Sequence, residues 1–418
     1  MSGLKDETTN YTPIDEIMNS VLEKSHPYIA KLIAEEGERQ KNTVQLIASE
    51  NFPSDAVKIA AASPFVSKYS EGYPAERTTG NTGRYYGGCE VVDKLEEYCC
   101  ETWRKVFDTD YHVNVQPHSG SSANLAAYMS VLKNGDTVLA MNLSNGGHLT
   151  HGSPVNFSGK LFNTVFYDVD GDGFIDYADI GRKIAEYEPD LVLAGASAYS
   201  RKIDFAEIKR LIDENAKAKK PYFMVDMSHI AGLVAAGNHP SPFGYADIVT
   251  TTTHKTLRGT RGGLIFCKPE LAKKVDSAVF PCCQGGALQH IVAAKAVTAE
   301  ECLTNEYKEY IHRVVANADA MSREFVKMGY EVVSGGTDNH MFLIDFSKTH
   351  PEISGKQVQE ALEKHDIIVN KNCVPNEKRS PVQTSGIRIG TPAMTTKGYG
   401  ERDFIDVAHR IDEIISSI

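Results

Sequence analysis

The stretch TTTTHKTLRGTRGG, residues 250–263, carries the residues on which the interpretation of the whole chain depends. It overlaps the end of an apolar run, Ile248–Thr253, which predicts a buried strand. His254 and Lys255 come directly after that strand, and a turn rich in glycine and arginine follows. A lysine in this position is either a solvated cation or an amine that forms a Schiff base. The second role requires a pKa lowered by burial or by nearby cations, for which His254 and Arg261 are candidates.

Short apolar runs alternate with amphipathic stretches from about residue 46 to residue 300. The apolar runs predict strands at Thr137–Leu143, Leu161–Tyr167, Leu191–Ala196, Tyr222–Met227, Ile248–Thr253 and Gly263–Cys267. The amphipathic stretches predict helices at Ala123–Leu132, Ile175–Glu188 and Phe205–Lys217. This alternation is typical of an α/β fold with a mostly parallel sheet, and the nearly continuous apolar strands indicate burial on both faces.

The two ends of the chain follow different patterns. Residues 1–45 predict an N-terminal helical arm, with apolar residues at helical spacing over Asp15–Ile33. The C-terminal end predicts a long helical stretch at Ala293–Met328, strands at Tyr330–Ser334 and Met341–Asp345, and further helices at Gly355–His365 and Glu401–Ile418. We therefore predict three parts: the arm (1–45), a large domain (46–300) and a smaller C-terminal α+β domain (301–418).

Composition restricts the possible classes of protein. The chain has 418 residues, of which 41% are hydrophobic and 24% charged, with a formal net charge of −11. These values favour a soluble globular protein and disfavour nucleic acid as a partner. We expect no membrane span and no secretory signal, since no apolar run is long enough. The eight cysteines include no C-x-x-C pair, which favours free thiols in the cytoplasm and no metal site.

A second candidate for chemistry lies in Tyr222–Leu233, YFMVDMSHIAGL, where a buried strand ends in Asp226 and His229 follows. An acid at the carboxyl end of a parallel strand lies where α/β proteins bind their ligands. Pyridoxal phosphate needs such an acid to keep its pyridine nitrogen protonated. The alternative is an aspartate that caps the N-terminus of a helix.

A third candidate is Pro117–Asn124, PHSGSSAN, which directly precedes a predicted helix. Small residues and hydroxyls at a helix N-terminus suit a phosphate, although they also form ordinary caps. A phosphate cradle, an aspartate and a lysine, in that chain order, form the pattern of a fold-type-I pyridoxal phosphate enzyme. The chain has neither a P-loop nor a G-x-G-x-x-G fingerprint after a strand, which disfavours nucleotide-binding folds.

Longer motifs point to one family. They are LIASEN (46–51), KYSEGYP (68–74), YYGGCE (85–90), NVQPHSGSSAN (114–124), GGHLTHGSPVNFSGK (146–160), SAYS (197–200), VDMSHIAGLVAAG (225–237), TTTTHKTLRGTRGGLI (250–265), VVSGGTDNH (332–340) and TSGIRIGTPA (384–393). With these motifs the sequence resembles serine hydroxymethyltransferase from about Leu46 to Pro392. Enzymes of this family use pyridoxal phosphate to interconvert serine plus tetrahydrofolate with glycine plus methylenetetrahydrofolate. The resemblance implies a fold-type-I, aspartate-aminotransferase-like architecture.

The resemblance also implies roles for individual residues. Lys255 would form the Schiff base with the cofactor, Asp226 would pair with the pyridine nitrogen, and His148 would stack on the ring. The other expected cofactor contacts are Gly120, Ser121, Ser197, His229 and His254, with Gly286 from a neighbouring subunit. The expected substrate-binding residues are Ser49, Arg261 and Arg388, of which Arg388 would hold the carboxylate.

Acid–base chemistry and folate binding follow from the same resemblance. Glu71, beside Tyr69 and Tyr86, would be the acid–base group and would reach in from a partner subunit, so the active protein is expected to be a homo-oligomer. The tetrahydrofolate pterin would contact Leu143, Gly146, Gly147, Leu149 and Asn372.

Two departures from the family pattern leave a neighbouring activity open. Thr78–Arg84 adds seven residues between Glu71 and Tyr86, as a surface loop or as a change to the substrate entrance. PCCQGGAL (281–288) places cysteines and an alanine where the family has glycine, a variable residue and proline, but retains Gln284 to Gly286. The alternatives are a folate-independent aldolase acting on threonine-like β-hydroxy amino acids and an α-methylserine hydroxymethyltransferase. A non-catalytic family member is disfavoured by the intact site residues.

A further motif points to calcium. Asp168–Asp179, DVDGDGFIDYAD, resembles an EF-hand loop with Asp in place of Glu at the last position. The predicted strand Leu161–Tyr167 precedes it, whereas an EF-hand requires a helix there. We therefore expect a strand-to-helix turn and no calcium site.

Overall fold

The computed structural model describes residues 13–74 and 83–418. Its helices are α1 (Pro13–Ser25), α2 (Pro27–Asn42), α3 (Asp55–Ala61), α4 (Glu90–Phe107), α5 (Gly120–Val131), α6 (Phe157–Leu161), α7 (Tyr177–Tyr187), α8 (Phe205–Asn215), α9 (Ala231–Ala235), α10 (Ala272–Ser277), α11 (Gln289–Cys302), α12 (Asn305–Lys327), α13 (Phe346–Thr349), α14 (Gly355–Glu363), α15 (Pro392–Thr396) and α16 (Glu401–Ile415). Its strands are β1 (Val44–Gln45), β2 (His112–Asn114), β3 (Thr137–Met141), β4 (Asn163–Tyr167), β5 (Leu191–Ala194), β6 (Tyr222–Asp226), β7 (Ile248–Thr252), β8 (Gly263–Cys267), β9 (Glu331–Val332), β10 (Met341–Asp345), β11 (Ile367–Ile368), β12 (Asn370–Asn372) and β13 (Gly386–Gly390).

A seven-stranded sheet forms the centre of the described structure, in the order β2-β8-β7-β6-β5-β3-β4. Strands β3 to β7 run parallel, whereas β8 is antiparallel to both β2 and β7. Alternate residues enter different cores: Leu139 and Met141 pack on one face, and Val138 and Ala140 on the other. Burial on both faces explains why these strands are almost wholly apolar. The predicted α/β fold with a mostly parallel sheet is confirmed.

The C-terminal part contains a second, antiparallel sheet in the order β12-β13-β10-β9. Its apolar core also includes Val44 and Leu46 from the N-terminal side, because β1 pairs with β11. The division of the chain into parts at residues 45 and 300 stays a prediction.

The predicted long helical stretch over Ala293–Met328 is helical, with one break at residues 303–304. Two helices, α11 and α12, occupy this stretch, and α12 starts after Thr304. The Thr304 side chain accepts a hydrogen bond from the backbone N–H of Tyr307 and so caps α12. A threonine in this capping geometry starts a new helix instead of continuing the previous one. The predicted helical arm is likewise divided between α1 and α2, where Pro27 cannot donate a backbone hydrogen bond.

The acidic motif Asp168–Asp179 connects β4 to α7, as expected from the strand predicted before it. Asp170 Oδ1 accepts hydrogen bonds from the backbone N–H groups of Asp172 and Phe174, and Asp176 caps α7. Within the described ranges, no helix is both long and apolar enough to cross a membrane.

Candidate active site

A cavity of about 380 Å³ opens at the carboxyl edge of the parallel strands. It lies between the central sheet and β13 of the C-terminal sheet. The sequence-predicted residues that line it are Ser49, Gly120, Ser121, His148, Ser197, Asp226, His229, His254, Lys255, Arg261 and Arg388. A larger cavity of about 680 Å³ lies elsewhere, between the 171–174 loop and the C-terminal sheet, and none of the predicted site residues lines it.

Asp226 is the last residue of β6, and its buried carboxylate is held from both sides. Oδ2 accepts from Asn124 Nδ2 at 2.8 Å and contacts His151 Nε2 at 3.1 Å, and Oδ1 accepts from Ser228 Oγ at 2.5 Å. Burial raises the pKa of Asp226, but the contacts with His151 and Ser228 outweigh burial and hold the pKa well below its usual range. The residue does not cap a helix, since α9 starts only at Ala231. A charged acid at this position suits a protonated pyridine nitrogen.

The Lys255 side chain is buried and lines the same cavity, which excludes a solvated cation. Within the described part of the chain, its Nζ makes no hydrogen bond. Burial is the main reason that the pKa of Lys255 falls to about 8; Asp226 opposes the shift, and Arg388 and Arg261 add to it. A lysine with this pKa is partly neutral near physiological pH and can act as a nucleophile.

The N-terminus of α5 forms the opposite end of the cavity. Ser119 and Ser122 cap the helix reciprocally, which leaves the backbone N–H groups of Gly120 and Ser121 without a helical partner. A Cβ at Gly120 would lie 2.6 Å from Thr252 Cγ2, so only glycine fits there. The Nδ1 of His254 is buried and has no partner among the described residues. Free donors and a helix N-terminus fit the phosphate of pyridoxal phosphate, with Asp226 and Lys255 placed for the ring.

His148 precedes a short 3-10 turn and presents its half-buried ring to the cavity. Its Nδ1 accepts from the backbone N–H of Thr150 at 3.2 Å. Burial lowers the pKa of His148 to about 4, so the ring is neutral and suited to stacking. Potential metal-ligand atoms of His148, His151 and Asp226 lie within 4.8 Å of one another. The hydrogen bonds already described engage these side chains.

Arg388 projects from β13 and connects the two sheets at the cavity. Its Nε donates to Asn370 Oδ1 at 3.1 Å, and its Nη1 donates to the Ser197 carbonyl at 2.6 Å. Burial lowers the pKa of Arg388 to about 10, which still leaves the guanidinium charged at neutral pH. Nη2 has no hydrogen-bond partner within the described ranges and can meet a carboxylate.

A second cavity, of about 350 Å³, adjoins the first. Of the residues predicted to bind folate, it is lined by Leu143, Gly147, Leu149 and Asn372. Gly146 is not among its lining residues. Its carbonyl accepts from Ser197 N at 2.6 Å, and a Cβ there would lie 2.9 Å from the Ala198 backbone, so Gly146 supports the wall.

Glu71, Tyr69, Tyr86 and Gly286 lie outside the cavity of their own chain. Tyr86 donates to Glu71 Oε2 at 3.2 Å, and the rings of Tyr69 and Tyr86 lie 5.1 Å apart. A Cβ at Gly286 would lie 3.5 Å from the Tyr69 ring, so these residues form one cluster. Tyr69 is 58% exposed, which leaves this cluster open to solvent in the single chain.

The backbone segments on either side of the added residues pair with each other beside this cluster. Gly72 and Arg84 form an isolated antiparallel bridge, and Tyr85 N donates to the Glu71 carbonyl at 3.1 Å. Residues 78–82 of the seven-residue addition lie outside the described residues. The bridge and this hydrogen bond hold Glu71 beside Tyr86.

The altered loop PCCQGGAL is anchored near the N-terminus of α5. Gln284 Nε2 donates to the Gln116 carbonyl, and Gln284 Oε1 accepts from His118 N, both at 3.0 Å. The retained glutamine therefore connects this loop to the segment that leads into α5.

A sequence model of serine hydroxymethyltransferase matches residues 22–411 of the 418-residue chain. The chain belongs to the serine hydroxymethyltransferase family. Proteins of this family are pyridoxal-phosphate-dependent hydroxymethyltransferases of fold type I, so the predicted family, fold class and enzyme class are confirmed.

Sequence reasoning about this serine hydroxymethyltransferase family member missed the residues that hold Asp226. Asn124 and His151 stand within quoted motifs, but they are 102 and 75 residues from Asp226 along the chain. Ser228 was predictable from the local sequence, because an aspartate followed two residues later by serine is a common local hydrogen-bonding pattern. The only signal for Asn124 and His151 was the presence of polar side chains in otherwise small-residue motifs.

Proposed function

We propose that the protein transfers the hydroxymethyl group of serine reversibly to tetrahydrofolate, giving glycine and methylenetetrahydrofolate, with pyridoxal phosphate as cofactor. The observation that carries the proposal is that the two neighbouring cavities share His148, Ser197 and Arg388. A folate in the second cavity would therefore lie next to a one-carbon unit released beside Lys255.

The bound cofactor supplies an electron sink for the bond that breaks at the substrate Cα. Asp226 would keep the pyridine nitrogen of the cofactor protonated, and the neutral ring of His148 would stack on the cofactor ring. Lys255 would hold the cofactor covalently through its amine until the substrate amine takes its place. Arg388 binds the substrate carboxylate, and Ser49 and Arg261 assist at the same end of the cavity.

Glu71 is the proposed acid–base group, because a proton must move at the β-hydroxyl oxygen as the Cα–Cβ bond breaks. Tyr69 and Tyr86 orient it. Since this cluster lies outside the cavity of its own chain, we assign it to the cavity of a second copy. The active species is then a homodimer or a larger homo-oligomer, in which Gly286 contacts the phosphate bound by the other copy.

A cytoplasmic location is part of the proposal. All eight cysteines are free thiols, and Cys282 is exposed, which suits a reducing compartment.

The decisive experiment is the absorption spectrum of the cofactor-loaded protein with glycine, before and after tetrahydrofolate is added. We expect a strong long-wavelength band that grows only when folate arrives. A spectrum that responds to glycine and ignores folate would instead support the folate-independent aldolase or the α-methylserine enzyme. Turnover of serine, threonine and α-methylserine, each with and without folate, separates these two alternatives.

A further inference from the structure

The motif VVSGGTDNH ends in a histidine, His340, to which the proposed reaction assigns no role. Its ring is fully buried and lies against the ring of His229, with 5.4 Å between centroids and 25° between planes. His229 Nδ1 and His340 Nε2 are 3.2 Å apart. His229 follows β6 and lines the cofactor cavity, whereas His340 directly precedes β10. The two rings therefore join the cavity wall to the C-terminal sheet.

Neighbouring residues of the motif fix His340 in place. Thr337 Oγ1 donates to the Ser200 carbonyl at 3.1 Å, and Asn339 Nδ2 donates to the Tyr199 carbonyl at 2.9 Å. Asp338 forms an ion pair with Arg201 at 2.9 Å. These contacts bind the motif to the segment that follows Ser197.

One hydrogen bond joins the two rings, and either ring can donate it. Burial, with smaller contributions from Arg388 and Lys255, lowers the pKa of His340 to about 3 and holds the pKa of His229 well below its ordinary value. Both rings are then neutral, and a neutral imidazole carries one N–H. Either His340 donates to His229 through Nε2, or His229 donates to His340 through Nδ1.

The other nitrogen of His340 distinguishes these arrangements. Its Nδ1 is buried and has no hydrogen-bond partner among the described residues. A buried N–H without an acceptor is rarer and more costly than an acceptor left unused. The hydrogen of His340 therefore belongs on Nε2, which donates to His229 Nδ1. His229 then carries its own hydrogen on Nε2, the nitrogen that has no protein partner in the described ranges.

We propose that His340 is a positioning residue that holds His229 in its Nε2–H tautomer, so that His229 presents a hydrogen-bond donor to the phenolic oxygen of the bound cofactor. The identity of the acceptor rests on the proposed function. The assignment of the tautomer does not rest on the proposed function, because it follows from contacts within the protein.

Nuclear magnetic resonance of the cofactor-free protein, labelled with ¹⁵N-histidine, tests the tautomer directly. We expect the two-bond ¹⁵N–¹H pattern of an Nε2-protonated ring for His229. His340→Phe keeps a ring but removes the donor, so His229 should then populate both tautomers. His340→Gln restores a donor near the position of Nε2 and should restore the wild-type pattern. An Nδ1-protonated His229 in the wild-type protein overturns the proposal, and so does a pattern that His340→Phe leaves unchanged.

Affinity for pyridoxal phosphate tests the consequence. Because only the Nε2–H tautomer offers the donor, a His229 that populates both tautomers about equally should bind the cofactor about twofold more weakly in His340→Phe, with recovery in His340→Gln. Equal losses in both variants would indicate a merely structural residue and contradict the proposal. If the wild-type protein binds no pyridoxal phosphate, the proposed function fails, while the tautomer measurement still decides the role of His340. If His340→Phe does not fold, the wild-type and His340→Gln spectra decide it.

Discussion

His151 Nε2 lies 3.1 Å from Asp226 Oδ2, and both side chains are buried. The same oxygen also accepts from Asn124, so two side chains from different segments converge on one atom. This arrangement fixes the orientation of the carboxylate and favours its charged form. In the proposed reaction, that charge keeps the pyridine nitrogen protonated.

Replacing His151 with phenylalanine should therefore weaken catalysis without emptying the site. A hydrogen bond to a charged group contributes ~1.5–3 kcal/mol, so we expect kcat/KM to fall between about tenfold and about a hundredfold. Steady-state assays of serine cleavage with tetrahydrofolate measure the effect. His350→Phe, a matched change on the C-terminal part, should leave kcat/KM close to that of the wild-type protein. Full activity in His151→Phe would show that His151 has no role in the active site.

The lowered pKa of Lys255 predicts how pH affects capture of the cofactor. Only the neutral amine attacks the aldehyde, and it becomes abundant as the pH rises through the pKa of about 8. The rate at which the cofactor-free protein captures pyridoxal phosphate should rise with pH, with a midpoint near 8, and then level off. Stopped-flow absorbance over this range measures the midpoint. The control Lys255→Arg keeps the positive charge and should abolish covalent capture. In the wild-type protein, a midpoint near the pKa of an ordinary lysine would contradict the buried, cation-flanked position of Lys255.

Arg388 should not tolerate lysine. Its guanidinium donates to Asn370 and to the Ser197 carbonyl and keeps Nη2 without a partner among the described residues, and a single ammonium group cannot reproduce this planar arrangement. We expect kcat/KM for serine to fall by about a hundredfold or more in Arg388→Lys, mainly through KM. Arg182→Lys, on the exposed face of α7, is the matched control and should retain activity. An unchanged KM for serine in Arg388→Lys would exclude Arg388 from carboxylate binding.

The features that sequence predicted well are local. Continuous apolar runs marked the central strands, and the polar residues directly after them, such as Asp226 and Lys255, could be assigned to the cavity edge. The break at Thr304 was missed because helical periodicity continues on both sides and one capping hydroxyl interrupts it. The contacts of Asp226 with Asn124 and of His229 with His340 were missed for a different reason. They depend on three-dimensional packing, and no pattern within either motif specifies a partner more than a hundred residues away.

Arg84 should be important for stability, although it lies at the end of the added segment. Its buried guanidinium donates to Glu96 at 2.8 Å and to the Ser70 carbonyl at 2.9 Å, and Glu96 is itself fully buried. Removing one partner of a buried ion pair costs ~3–5 kcal/mol, because the other charge stays desolvated. Arg84→Met should lower the free energy of unfolding by about this amount, as measured by urea denaturation. Arg39→Met, which breaks an exposed pair, should cost under about 1 kcal/mol; equal costs would mean that the Arg84 pair is solvated.

Shortening the added segment should leave the site intact. Deletion of residues 77–83 joins Glu76 to Arg84 and restores the family spacing of two residues and one arginine before Tyr85. Gly72 and Arg84 already pair, so residues 73–76 become a four-residue hairpin connection, a common length. The Glu71–Tyr86 contact should persist, so kcat/KM for serine and for tetrahydrofolate should stay within about twofold of the wild-type values. The shorter loop should raise the free energy of unfolding by at most ~1 kcal/mol. Loss of folate-dependent turnover with retained cleavage of threonine would instead identify this segment as part of the folate entrance.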